Sequence, residues 1–406
     1  MLVYITSFLI IVISVAGCLR PTTIFNAYKI FYIFSLFFFG ITPPVYYHSD
    51  VSFFGARALT DSEYLRLNLI LIGILIAFHF FYLFFYKKIK IKKVADLYAR
   101  NISDTYFLVT SVLFLICKTL LFRNFTLQNF YLRKSADLLL EGKSHLLTVI
   151  SSVLYLFPLV MLLHLALFWR GKVTFIRGSI LMILLLSAFP TSLSRTVFGI
   201  FLGSYILLQI PNLVKKNYFT LSFIALFAYV FPFMDQFRRI KSVKEIKFGF
   251  NLDFFKTAHF DSYYNFGLIM FEVPVQYGRQ LLGVVLFFVP REIWPNKPVG
   301  SGAFMADHLN MNFTNLSANY FAEGYINFGG AGIVLFLIIL VWSCAYLDRI
   351  GVRVQRQNPP LFVLYLQVIF VLFYLLRGDL MSSFALLFTI VLFNMIVLNI
   401  LYKIRR

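Results

Sequence analysis

The chain has 406 residues, 60% of them hydrophobic, with 37 Lys or Arg against 17 Asp or Glu and a formal net charge of +20. With a mean hydropathy of +0.82 it is far too apolar for a soluble domain. Repeated runs approaching the roughly 20 apolar residues needed to cross a bilayer instead indicate an all-α polytopic membrane protein. The basic excess is no nucleic-acid signature, because Lys and Arg fall mostly in short loops between apolar runs, as cytoplasmic loops do.

In chain order, Leu2–Leu19 is the first span. Val15-Ala16-Gly17-Cys18 resembles a lipoprotein cleavage box, but no basic residue precedes the run, so the segment is read as retained. Arg20 and Lys29 follow, then an apolar run to Ile41 that ends at Pro43-Pro44. Val45–Glu63 reads as an external loop, and Leu65–Tyr86 as a third span closed by Lys87, Lys88, Lys90, Lys92 and Lys93. That basic cluster belongs in the cytoplasm and fixes the orientation. Phe107–Phe122 goes out, Arg123–His145 is an external loop, and Leu146–Trp169 returns to Arg170, Lys172 and Arg177. Ile180–Phe189 exits to the tight turn at Pro190–Arg195, Val197–Ile210 returns to Lys215-Lys216, and Tyr218–Met234 leads into a large loop. Gly329–Leu347 comes back to Arg349, Arg353 and Arg356, Leu361–Leu376 exits, and Leu380–Tyr402 re-enters. The expected topology is about eleven spans, with the N-terminus periplasmic and the C-terminus cytoplasmic. It forms one integral membrane domain over residues 1–406.

The loop Asp235–Phe328 concentrates the polar chemistry: eight of the 17 acidic residues and two of the six histidines lie in it. Polar side chains and irregular backbone cannot face hydrocarbon unpartnered, so the loop lies outside the bilayer or in a wet cavity. Its apolar piece Leu281–Val289 is too short to cross and reads as a surface or dipping segment. Cys18, Cys117 and Cys344 sit in or beside apolar runs without redox or metal-motif spacing, so neither a disulfide nor a metal site is expected. His79 and His164 lie within spans and read as packed between helices.

The phrases "VPREIWPNKP" (289–298), "AEGYINFGGAGIVL" (322–335) and "LLRGDLMSSF" (375–384), together with Ser194-Arg195 heading a middle span, resemble bacterial O-antigen polymerases of the Wzy type. The motifs cover the C-terminal half; the first 180 residues match in hydropathy alone. The resemblance implies an inner-membrane glycosyltransferase with a GT-C-like helical fold. Its partners would be undecaprenyl-pyrophosphate-linked glycans as donor and acceptor, the lipid bilayer and a chain-length regulator. No nucleotide sugar, no metal and no other cofactor is implied.

Such a transfer has physical requirements. Without a metal, the departing pyrophosphate must be stabilised by Arg and Lys, and the Arg fork suits phosphate oxygens bidentately. The external face offers Arg195, Arg238, Arg239, Arg279, Arg291, Lys297 and Arg377, with Trp294 beside Arg291. The acceptor hydroxyl needs a general base, and His308 is the leading candidate because histidine titrates near neutrality. Asp307 and Glu323 stand behind it, then His259 and Asp261. The bland alternatives are a solvated His308, a Glu323 that caps its own helix, and a local Arg377–Asp379 ion pair. Tyr263, Tyr264, Tyr277, Tyr320 and Tyr325 are candidate sugar-stacking residues. An O-antigen ligase or a lipid-linked oligosaccharide flippase are the rival readings. Charge gathered in one loop, with no related halves, argues against a transporter.

Overall fold

Long runs of apolar residues become helices here because each backbone N–H and C=O must be satisfied within its own segment in hydrocarbon. The computed structural model describes residues 1–91, 97–100, 102–122, 156–169, 174–188, 193–230 and 252–404, with the backbone alone for 117–122, 215–216, 230 and 404. The long helices are α1 (Leu2–Leu19), α2 (Ala27–Ser35) continuing into α3 (Thr42–Ser49), and α4 (Asp61–Lys88). The chain then forms α5 (Asp104–Phe122), α6 (Leu156–Phe168), α7 (Phe175–Ser187), α8 (Arg195–Gln209) and α9 (Tyr218–Ala225). Short helices α10 (Ser262–Glu272), α11 (Arg279–Val285) and α12 (Ser301–His308) precede α13 (Tyr320–Gln357), α14 (Pro359–Arg377) and α15 (Leu380–Leu401). Among the described residues six helical segments are long and apolar enough to cross a membrane: α1, Ala27–Ser49, α4, α13, α14 and α15. Helices α5 to α9 carry shorter apolar stretches. The chain is a polytopic helical membrane protein.

Ala27–Ser49 differs from its expected form. The run does not stop at Pro43-Pro44 but passes through a π-helical turn at Leu36–Ile41 and ends at Asp50, whose φ of 46° breaks the helix. The prolines lack the N–H groups that would continue the ladder. The widened turn before them absorbs the mismatch, and Thr42 Oγ1 donates to the Phe37 carbonyl (2.7 Å). The connecting segment therefore spans only 50–60, not Val45–Glu63, before the Thr60–Glu63 capping box starts α4.

The bundle has two chemically distinct ends. At one, buried Asp348 of α13 accepts from the first amides of α2, Ala27 N (2.7 Å) and Tyr28 N (3.2 Å), and from Tyr82 OH (2.7 Å) and Tyr365 OH (3.4 Å). A carboxylate at a helix start satisfies otherwise orphaned donors. Lys29, placed by its charge between spans, is instead buried in α2 and donates to Asn217 and Thr220. Strand β1 (Leu97–Ala99) pairs antiparallel with β2 (Tyr402–Ile404), joining the chain after α4 to the C-terminal end of α15.

At the other end α13 breaks. Gly329 has φ 61° and ψ −147°, backbone open to glycine alone, and residues 320–327 fold back on the span that starts at Gly330. The arms approach so closely that a Cβ on Gly332 would overlap the Gly324 carbonyl. The close approach at Gly332 is thus made within one chain segment rather than between two spans.

Candidate functional site

Three short helices and two bends assemble the polar end. Asn319 caps α13, its side chain accepting from Phe321 N (3.0 Å) and Ala322 N (2.9 Å) while donating to Ser262 O of α10 (2.9 Å). That leaves Glu323 free of its own helix start. It is buried and reaches two other elements: Ser301 Oγ of α12 donates to it (2.7 Å), as does Leu380 N at the start of α15 (2.9 Å). Glu323 thus caps a helix, but α15 rather than α13. Asp379 completes that cap, accepting from Met381 N (3.0 Å) and Ser382 N (3.3 Å), with Gly302 N at 3.5 Å. Gly300 lies so close that a Cβ there would overlap the Asp379 carboxylate. Burial pushes the Asp379 carboxyl up, against the pull of these amides.

A second web lies alongside. Buried Asp261 accepts from the Ser317 hydroxyl, Ser317 N (3.4 Å) and Asn265 Nδ2 (3.0 Å). Burial raises its pKa while Arg377 and Ser317 oppose the shift. Arg377 lies 4.0 Å from Asp261, donates Nε to the His259 carbonyl (3.0 Å) and sits over the Phe38 ring. The bland alternative, a local Arg377–Asp379 pair, is therefore not what forms. The arginine joins α14 to α10, and the aspartate caps α15.

The segment 287–298 is stapled by its own cations. Arg291 donates to the carbonyls of Lys297 (2.8 Å) and Pro298 (3.4 Å), and Lys297 Nζ to those of Phe287 (2.6 Å) and Val289 (2.9 Å). Burial and the neighbouring Arg291 lower the Lys297 pKa. Half-buried Trp294 sits in the turn between them, its backbone N–H donating to Pro290 O (3.0 Å). Arg291 uses only part of its five-donor fork this way and stays exposed. Phe287 packs edge-on against Phe384 and Phe388 of α15, while Leu282, Val285, Phe288 and Ile293 remain exposed.

Asp307 and His308 end α12 in the open, the His308 ring parallel to that of Phe304. Seven residues of helix, about 10 Å, separate His308 from Ser301. The structure therefore does not bring His308 and Glu323 together: the carboxylate is buried and held by two donors, the imidazole exposed outside. Arg195 occupies the first turn of α8, which Ser194 caps by accepting from Val197 N (3.2 Å). Arg238 and Arg239 lie outside the described residues. Of the tyrosines, Tyr263, Tyr264 and Tyr320 are buried, which removes them from sugar stacking, whereas Tyr277 is exposed and Tyr325 half-buried. His79 and His164 do pack between helices, bonded to Tyr28 OH (2.7 Å) and Asn394 Oδ1 (2.8 Å). Among the described residues no group of three His, Cys, Asp or Glu is placed to hold a metal ion.

Ser301, Ser317 and Asn319 were missed as members of the site, and Asp379 was weighed only as a local partner of Arg377. The one available signal was Gly300-Ser301-Gly302, small residues where backbones approach. Chemically, the assembly offers the exposed Arg291 guanidinium to an anion, an exposed imidazole at His308, and buried carboxylates that hold the helices in register. No family model matches the chain, nor does any curated protein or solved structure.

Proposed function

We propose that this chain polymerises oligosaccharide repeat units carried on undecaprenyl pyrophosphate, at the periplasmic face of a bacterial inner membrane. The observation that carries the reading is the meeting of three phrases distant in sequence. Glu323 of the second accepts the Leu380 amide of the third, 57 residues on. Pro298 of the first and Met381 of the third both close on Gly283, where an added Cβ would come within 3.3 Å of each. Segments that resemble one enzyme family at separate places in the chain thus form one surface beside exposed apolar residues.

In this reading the carrier lipid lies against Leu282, Val285, Phe288 and Ile293, with its pyrophosphate toward Arg291 and Arg377. Arg195 and one of Arg238 and Arg239 complete the cationic clamp. A hydroxyl of the acceptor sugar attacks the anomeric carbon of the donor, and the carbon–oxygen bond to pyrophosphate breaks. The carrier pyrophosphate leaves with the bonding pair, and His308 takes the hydroxyl proton. Positioned bases contribute roughly a hundred- to ten-thousandfold in such steps. Glu323, Asp379 and Asp261 act as positioning residues. The finer topology belongs to the same proposal: eleven spans in a GT-C-like arrangement, with the N-terminus periplasmic and the C-terminus cytoplasmic, as the basic loops direct.

The test is the length of the glycan in a strain lacking the gene, and whether it is ligated or still on the carrier. Loss of a polymerase leaves ligated single units. Long unligated chains would identify a ligase instead, and repeat units held facing the cytoplasm a flippase.

A further inference from the structure

The opposite end of the bundle carries a second built feature that polymerisation does not use. Where α4 and α13 end, Tyr86, Lys90, Ile91, Arg349, Arg353 and Arg356 line a cleft of about 440 Å³. It is shaped by the arginines themselves: Arg349 donates to the Ile89 carbonyl (3.3 Å) and Arg353 to that of Ile91 (2.7 Å), with the Arg349 guanidinium 5.0 Å from the Tyr86 ring centre. These contacts hold the arginines around one cleft despite their repulsion, through neutral carbonyls and a ring that supply no counter-charge. A solvated basic loop would splay such residues apart.

A second observation bears on what would fit it. Trp342, Tyr346, Arg349, Arg353 and Arg356 recur at helical spacing and so form one stripe along α13. Trp342 and Tyr346 are exposed and stack on each other, ring centres 5.4 Å apart, directly above the arginines. Exposed Phe80, Phe81 and Phe84 lie on the adjoining length of α4. An apolar, aromatic stripe that ends in a cationic cleft matches a molecule with an acyl chain and a phosphate. We infer that this cleft binds the phosphate of an anionic membrane lipid, its chain lying along the Trp342–Tyr346 stripe. Basic pockets between helices at the cytoplasmic surface suit such headgroups, and the guanidinium forks suit phosphate oxygens.

The full chain, purified in a neutral detergent, is titrated with phosphatidylglycerol, phosphatidylcholine or inorganic phosphate, and bound species are counted by native mass spectrometry. Phosphatidylglycerol is expected to be retained over phosphatidylcholine. Lys90→Gln with Arg356→Gln, both exposed and outside the carbonyl bonds, should weaken it about tenfold per cation, the equilibrium equivalent of one charge-assisted hydrogen bond. Lys87→Gln with Lys88→Gln removes equal charge beside the cleft and should leave retention unchanged. Trp342→Ala should weaken the lipid but not inorganic phosphate. Equal retention of the two lipids, or equal loss in both double variants, overturns the inference. So does displacement of the lipid by millimolar inorganic phosphate with Trp342→Ala silent, which would mark a free-phosphate site.

Discussion

Removing the Glu323 carboxylate should undo the polar end of the bundle, and the geometry sets how much. Two buried donors point at it, Ser301 Oγ–H (2.7 Å) and Leu380 N–H (2.9 Å), and Glu323→Ala orphans both. An unsatisfied buried donor costs about 1–3 kcal/mol, so the two together cost about 2–6 kcal/mol before any packing loss. Ser301→Ala removes one donor together with its need for a partner. The double variant then leaves only the Leu380 amide orphaned, and should be less destabilised than the sum of the singles by about 1 kcal/mol, within the range of polar pairs in membrane bundles. Unfolding by titration with denaturing detergent in mixed micelles measures all four proteins under one condition. Additivity to within about 0.5 kcal/mol, or a Glu323→Ala variant as stable as the parent, would refute the reasoning. Either result would mean that α12, α13 and α15 are held together by something other than this carboxylate.

Gly332→Ala should prevent accumulation of folded protein, because its methyl group would overlap the Gly324 carbonyl, whereas Gly330→Ala, with nothing within 4 Å, should be tolerated; membrane-fraction yield and monodispersity separate them. Burial raises the carboxyls of Asp261 and Asp379 above their ordinary value of 3.8, so the folded chain holds protons that the unfolded chain releases. Their contribution to stability is full below that value and is lost as pH rises through the folded pKa values. Asp379→Asn should therefore flatten the fall of melting temperature with rising pH, and an unchanged slope would contradict the assignment. A cysteine at exposed Asn312 in a Cys-free chain should react with an impermeant thiol reagent from the periplasmic side; labelling only after inner-membrane lysis would invert the topology.

The long helices were readable from hydropathy because a bilayer leaves a span few alternatives. Leu65–Tyr86 lies within α4, and the Gly329 opening of a span coincides with the bend in α13. The contents of the polar end were only half readable. The residues were noticed, but their partners lie far off in sequence: Asp261 to Ser317, Glu323 to Leu380, Arg377 to His259. Periodicity reports which face of a segment is apolar, not which distant segment it meets. Lys29 and Tyr263 failed for the same reason, since a charge or a hydroxyl reads as exposed until its burial partner is known. The proline pair misled in a different way. It signals a helix end in isolation, yet a π-turn lets the helix continue to Ser49.

The central claim is tested most directly by reconstitution. The purified chain in liposomes, given only repeat units linked to undecaprenyl pyrophosphate, should yield a ladder of longer carrier-linked glycans and release free undecaprenyl pyrophosphate. His308→Gln should bind the donor and make no ladder. Absence of any ladder from the unaltered chain would contradict the account. So would transfer of the glycan only when a lipid A-core acceptor is supplied.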